Sequence, residues 1–488
     1  MRAVPPLSIL LLLSSIDSIY SQPTQTEPLK IGNITVSGSF RIRIESWDWF
    51  HGNANYEYAY PGSLFRVSFS ETKKTSDWRL ELAAPVLIDL PNDAIAPGVQ
   101  GQLGLGASYF AANNKNTYAG LVFAKQGYIR FKGLGGNEGQ TLKIGRMEFI
   151  DGAEVTPPNA TLATVKRERI AHRLLGNSGF SEAGRSFDGV QYGLNNPKIN
   201  LTLFSGRPDR GVYQVDGWGE LKINVFYGAL TGQLPGRRTA AEWRVFGLGY
   251  DDYRNNVLKT DNRTSAVRAA DHEHINIGTF GGHFLEAFNT SAGPLDAMFW
   301  GVGQIGSWGN LKQRSYAFAV EGGWQPRVLQ RLKPWLRAGY DYGSGDKNPS
   351  DHVHGTFFQV LPTPRTYARF PFFNFMNTRD ALTELSLRPS KKVTVRSDFH
   401  SLRLAGRNDL WYSGGGAFQP WTFGYTGRPS SGNSGLANLY DVSADFNFNS
   451  HFTLGTYYGR ANGKLIVASI YPNGKNANFG FLELLFNF

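Results

Sequence analysis

Arginine and carboxylate recur together along this chain, most often two or four residues apart. Arg41 and Arg43 stand with Glu45, Arg79 with Glu81, Arg146 with Glu148, and Arg185 with Asp188. Further on come Arg337 with Asp341, Arg396 with Asp398, and the pair Asp441 and Asp445. Residues two or four apart on a strand share a face, so these groups are read as projecting together into one aqueous space. Rings of guanidinium groups in a pore select anions. Neighbouring carboxylates hold the planar forks in place and weaken contacts that would otherwise trap a solute. The same pairs would also brace a barrel wall, and either role needs the same lumen.

Catalysis finds less support. Asp441 and Asp445 would lie about 13 Å apart at the usual strand rise, beyond the roughly 5–10 Å of a glycosidase pair. No G-x-S-x-G or H-E-x-x-H motif occurs. The His-x-His pairs His272/His274 and His352/His354 have no third ligand fixed by spacing and read as loop histidines, so no metal site is assigned. The glycines of GQLGLGASYF (Gly101–Phe110) lack the spacing and the strand–turn–helix setting of a phosphate loop, so no cofactor is assigned either. The expectation is that the protein is not an enzyme.

The elements that would position these side chains have a period of two. From Ile34, even positions read Ile34, Val36, Gly38, Phe40, Ile42 and Ile44, and odd positions read Thr35, Ser37, Ser39, Arg41, Arg43 and Glu45. Phe65, Val67 and Phe69 alternate with Arg66, Ser68 and Ser70, and Trp78, Leu80 and Leu82 with Asp77, Arg79 and Glu81. One face suits hydrocarbon and the other water. Trp47 and Trp49 fall where an interfacial aromatic girdle would lie. The last segment, NANFGFLELLFNF, puts Leu482, Leu484, Phe486 and Phe488 on one parity, with Phe481, Glu483, Leu485 and Asn487 on the other. A terminus this apolar suits a strand that must pair with the first to close a barrel. Counting comparable runs gives about eighteen strands. The predicted fold is all-β: a single transmembrane antiparallel β-barrel with long extracellular loops and short periplasmic turns.

Composition agrees with that architecture. The chain has 488 residues, no cysteine and 14% aromatic residues. Its mean hydropathy of −0.31 excludes a bundle of spanning helices but suits strands that alternate lipid-facing and water-facing residues. A basic start at Arg2 and the apolar run Leu7–Ile16 read as a signal peptide over residues 1–21, with cleavage near Ser21, leaving the barrel as residues 22–488. The net charge of +11 implies an anionic partner. An exported protein is not expected to bind nucleic acid, so an anionic polysaccharide or another anionic solute is the reading, with outer-membrane lipid around the barrel. Two stretches break the alternation. Residues 153–183 include TLATVKRERIAHRLL, crowded with Lys166, Arg167, Arg169, His172 and Arg173, and read as a solvated loop helix, the other reading being a basic plug. Residues 343–377 form a second long connection rich in Pro and Phe.

The segment GSGDKNPSDHVHGTFFQVLPTPRTYARF (Gly343–Phe370) resembles a stretch shared by the alginate-export family of outer-membrane barrels. GQLGLGASYF, KIGRMEF, EAGRSFDGVQYG and WLRAGYDYGSGD fit that family's pattern in order. The resemblance implies a barrel of approximately eighteen strands in the outer membrane with an arginine-rich lumen. An anionic polysaccharide such as alginate would leave the periplasm through it, with periplasmic export proteins as further partners. On that pattern the GR arginine corresponds to Arg146, the GRSFDG arginine to Arg185, and the LRAGYD arginine to Arg337. The expected function is therefore an outer-membrane channel for an alginate-like polyuronate. The alternatives are a porin importing small anions such as sugar acids and, with less support, an outer-membrane enzyme acting on polysaccharide.

Overall fold

Strand formation follows the alternation closely in the computed structural model, which describes residues 29–234, 236, 239–255 and 257–488. The signal peptide expected at 1–21 lies outside the described residues. Eighteen strands close into one antiparallel barrel. They are β1 Ile34–Asp48, β2 Glu57–Thr72, β3 Ser76–Leu87, β4 Phe123–Lys132, β5 Gln140–Met147, β6 Phe187–Asn195, β7 Ile199–Pro208, β8 Ile223–Leu234 and β9 Thr239–Asp252. The second half comprises β10 Ile275–Thr290, β11 Gly293–Trp308, β12 Leu311–Trp324, β13 Trp335–Gly343, β14 Thr378–Ser390, β15 Val393–Leu404, β16 Gly435–Asn447, β17 Phe452–Gly463 and β18 Asn476–Asn487.

Closure is made by β18 against β1, in register from Ser39 opposite Asn487 to Asp48 opposite Asn478. Backbone hydrogen bonds extend the seam to the last residue: Gly38 N donates to Phe488 O at 2.9 Å, and Phe488 N to Gly38 O at 3.0 Å. The Phe488 ring stacks beside Phe65 (6.2 Å) and Phe486 (6.0 Å). A Cβ at Gly38 would collide with that ring and with the Arg66 carbonyl, so a glycine is needed where the two ends of the sheet meet. Complete pairing leaves no open edge, which hydrocarbon requires.

The faces divide as the period of two dictates. On β1, Phe40, Ile42 and Ile44 are exposed while Arg43, Glu45 and Trp47 are buried inside. On β18, Leu482 and Leu484 are exposed while Phe479, Phe481 and Glu483 are buried. Trp47 and Trp49 therefore do not join an outer girdle. Trp47 continues the inward parity of Arg43 and Glu45, stacks on Phe479 at 4.0 Å and lies against Trp49 at 5.8 Å. Trp47 is covered by an inserted segment whose helix Leu105–Ala112 is made by the GLGASYF run, and Trp49 stacks on Phe370 of another inserted connection at 5.9 Å.

The connections separate the two ends of the barrel. At one end the turns are short, as at 291–292 and 391–392, with 325–334 the longest. At the other end run the long connections 88–122, 148–186, 253–274, 344–377 and 405–434. Several of these fold into the barrel. Buried residues of the inserted segments, among them Leu162, Leu174, Phe357, Phe358, Phe372 and Phe375, join inward wall residues in one continuous hydrophobic cluster. Within 148–186 the helix Ala160–Val165 passes into a π-turn, Lys166–Ile170. Lys166, Arg169 and Arg173 are buried, so this stretch is an inserted plug and not a solvated loop helix. The reason is electrostatic: each of these cations meets a carboxylate on the wall.

Candidate solute pathway

At the closing seam, Arg41 and Arg43 project from β1 toward loop 148–186. Arg41 Nη2 lies 2.9 Å from Glu182 Oε2 and also donates to the Ser181 carbonyl (2.8 Å), while Nη1 donates to that of Gly179 (2.9 Å). Arg43 pairs with Glu483 of β18 and lies 3.5 Å from both Glu45 and Glu182. Its guanidinium stacks on the Phe180 ring at 3.9 Å. Glu45 in turn accepts from Tyr60 Oη (2.7 Å) and Trp47 Nε1 (3.1 Å). The two arginines thus grip the segment 179–182 and hold it to the wall.

On β2–β4, Glu81 accepts from Arg66 Nε (2.5 Å) and Gln126 Nε2 (3.0 Å), with Arg79 Nη1 at 3.9 Å. Glu148 lies past the end of β5 and faces inward, 3.4 Å from Arg66 and 3.8 Å from Lys125. Across the barrel, Glu321 of β12 is shared by three guanidinium groups: Arg169 at 2.8 Å, Arg173 at 3.4 Å and Arg337 at 3.4 Å. Arg337 also reaches Asp296 at 2.5 Å, and Arg173 reaches Asp341 at 3.7 Å. Lys166 binds Glu242 at 2.7 Å. Arg173 is boxed by the rings of Tyr367 (4.4 Å), Phe375 (5.0 Å) and Trp300 (5.2 Å). Buried cations of this kind need a partner in contact, because the desolvation cost is otherwise unmet.

The sequence-predicted groups separate into three sets. Arg41, Arg43, Glu45, Arg79, Glu81, Arg337, Asp341, Arg396, Asp398, Asp441 and Asp445 stand on the inner face. Arg146 and Asp188 do not. They lie opposite one another in register, joined at 2.6 and 2.8 Å, on the parity of the exposed Ile144 and Val190. Arg146 also donates to the carbonyls of Gly217 (2.6 Å) and Trp218 (3.0 Å) in the connection above. The pairing of Arg146 with Glu148 fails because β5 ends at Met147, and the two-residue rule does not carry past a strand end. Arg185 forms the third set. It precedes β6, forms no ion pair with Asp188 or any other described carboxylate, and donates to the carbonyls of Gly176 (2.8 Å), Leu361 (2.6 Å) and Gly416 (2.6 Å). It therefore ties three inserted connections together. Burial lowers its pKa to about 10.

Several charged residues of the lumen escape a reading by near neighbours, since their partners are remote in sequence. Glu182, Glu242, Glu321 and Asp296 belong here, although Glu321 could be found as the charged member of the inward parity Ala317, Ala319 and Glu321. Arg365 and Arg369, from loop 344–377, are the most distinctive. Both are partly exposed. Arg365 stacks over Phe180 (4.6 Å) and Phe479 (5.8 Å), and its charge reaches Glu45. The Arg369 guanidinium makes no hydrogen bond or ion pair with any described residue, while its charge reaches Asp445, Glu483 and Tyr457. Above them opens a cavity of about 610 Å³ between the inserted connections, lined among others by Phe180, Arg268, Arg365, Trp421 and Arg428.

The histidine pairs stay outside this pathway. His354 is buried, stacks on Trp308 at 4.1 Å and bonds Gln313 at 2.7 Å through Nδ1. Burial lowers its pKa to about 3, so it is neutral. Its neighbour His352 is exposed.

Solved structures similar to this chain are outer-membrane proteins. OccAB2 of Acinetobacter baumannii matches with TM-score 0.57 and 11% identity, over 93% of this chain and 98% of that one. OccK9 (OpdG) of Pseudomonas aeruginosa matches with TM-score 0.57 and 12% identity, over the same shares. OpdK of Pseudomonas aeruginosa, solved with vanillate, has TM-score 0.52 and 10% identity over 93% and 98%. At these identities the likeness is one of fold. A search of curated proteins finds no match. The family model described as alginate export matches residues 122–461, more than half of the chain. A closed barrel of eighteen strands with a charged interior, carrying that match, is an outer-membrane channel, and the chain belongs to the alginate-export family.

Proposed function

We propose that this channel passes an anionic polysaccharide of the alginate-like polyuronate class, and that the cations it meets are Arg365 and Arg369. The carrying observation is the Arg369 guanidinium, which pairs with no described residue, in a lumen whose other arginines are largely neutralised by carboxylates. A paired guanidinium has spent its fork on a fixed partner. An unpaired one offers its donors to a passing carboxylate and releases it again, since Asp445 and Glu483 compete nearby. The net charge of +11 draws polyanions to the mouth. Family membership supports export as the direction, with periplasmic export proteins feeding the channel.

A second reading, uptake of small organic anions, is favoured by the inserted connections. A cavity of about 610 Å³ suits a small solute, and a polymer requires the connections to shift. Single-channel conductance on the purified barrel separates the two. Anion selectivity with block by oligouronates of increasing length, stronger for longer chains, supports the polysaccharide. Block by a monomeric sugar acid or aromatic carboxylate, with no dependence on chain length, supports the porin reading. Absence of anion selectivity overturns both.

A further inference from the structure

We propose that the inner wall at β15–β16 holds a divalent transition-metal ion, bound by Asp398, His400 and Asp441. Asp398 and Asp441 face one another directly across the two strands, and His400 projects from the same face two residues on. One carboxylate oxygen from each Asp and a ring nitrogen of His400 lie within 4.8 Å of one another. Ligands about 2.0–2.2 Å from a shared zinc ion would sit about 3.5 Å apart, so the gap is one that modest closure around a cation would fill.

Three further observations point to a cation. His400 Nδ1 lies 2.6 Å from Asp380 Oδ2, the carboxylate–histidine arrangement that leaves the Nε2 lone pair free for a metal. His400 is 1% exposed, and its Nε2 has no hydrogen-bond partner. Asp441 Oδ1 accepts from Tyr457 Oη at 2.7 Å, while its Oδ2 is buried and unpartnered. Asp398 is held from the other side by Arg396 Nε at 2.8 Å.

The charge balance asks for the same thing. Asp380, Glu384, Asp398 and Asp441 crowd this face, all buried; the one guanidinium ion-paired among them is Arg396, and His400, which pairs with Asp380, adds a second positive charge only when protonated, which a metal on its Nε2 would forbid. Uncompensated buried carboxylates are costly, and a divalent ion would supply the missing positive charge. One imidazole nitrogen with two carboxylates suits Zn²⁺ or Co²⁺ better than Ca²⁺, which prefers oxygen throughout. The bound ion would staple β15 to β16 beside Phe373 of the inserted loop, whose ring lies 6.0 Å from His400.

The test uses the full barrel in detergent micelles, stripped with chelator and titrated with Zn²⁺ and then Co²⁺. Expected are one Zn²⁺ per chain and the visible absorption of low-coordinate Co²⁺. Affinity should fall tenfold or more in His400→Gln and in Asp441→Asn, while a His272→Gln/His274→Gln variant binds as the parent does. Heat-modifiable migration shows which variants are folded, and should His400→Gln fail to fold, the near-isosteric Asp441→Asn decides. No zinc binding at millimolar concentration, or binding unchanged in both site variants, overturns the proposal and leaves His400 as an imidazolium balancing the carboxylates.

Discussion

The two long inserted connections carry their positive charges in opposite ways. In 148–186, Lys166, Arg169 and Arg173 each contact a wall carboxylate, at 2.7, 2.8 and 3.4 Å respectively. In 344–377, Arg365 is held by rings and by the Arg369 carbonyl, and the Arg369 guanidinium makes no hydrogen bond or ion pair with any described residue. The first set of charges fixes a plug, and the second remains available to a solute. A count of arginines inside a barrel therefore overstates its capacity to bind anions, because a guanidinium committed to a carboxylate and buried at under 5% exposure contributes stiffness.

This contrast can be broken most severely at Glu321. Glu321→Ala leaves Arg169, Arg173 and Arg337 without their shared partner, and losing one side of a buried ion pair costs about 3–5 kcal/mol. The expected result is a released 148–186 segment, read as faster amide exchange there and a raised, noisier conductance. Deleting Phe488 removes the last seam contact, and the expected outcome is a lower yield of heat-modifiable barrel on refolding. Arg369→Ala should lower anion preference, measured as reversal potential in a salt gradient. Stability should stay within about 0.5 kcal/mol of the parent, since the side chain gives up no ion pair or hydrogen bond with any described residue. Arg146→Ala should be the mildest for conduction, leaving selectivity unchanged because the side chain stands on the outer parity. A selectivity loss equal to that of Arg369→Ala would contradict this placement.

The strand faces were legible because each strand's own residues state which side meets hydrocarbon. Arg41, Arg43 and Glu45 alternate with Phe40, Ile42 and Ile44, and the structure keeps that division. Trp47, two residues past Glu45, keeps the inward parity, against the girdle position expected from its aromatic character. Past a strand end the rule stops. Glu148 turned inward beyond Met147 while Arg146 stayed outward, and Arg185 found backbone carbonyls of three inserted connections where Asp188, three residues on, was sought. Glu182 pairs with Arg41, Glu242 with Lys166, and Glu321 with Arg169 and Arg173, all remote along the chain, and no local spacing announces such a pair.

What the amino-acid order decides alone is the cylinder: alternation sets inside and outside, and an apolar terminal strand sets closure, since both depend on neighbours along the chain and on the contrast between lipid and water. What only the folded molecule decides is which charges remain uncommitted. Neutralisation acts through space over a few ångströms, and it is the descent of the long connections into the lumen that pairs Arg169 and Arg173 and leaves Arg369 open.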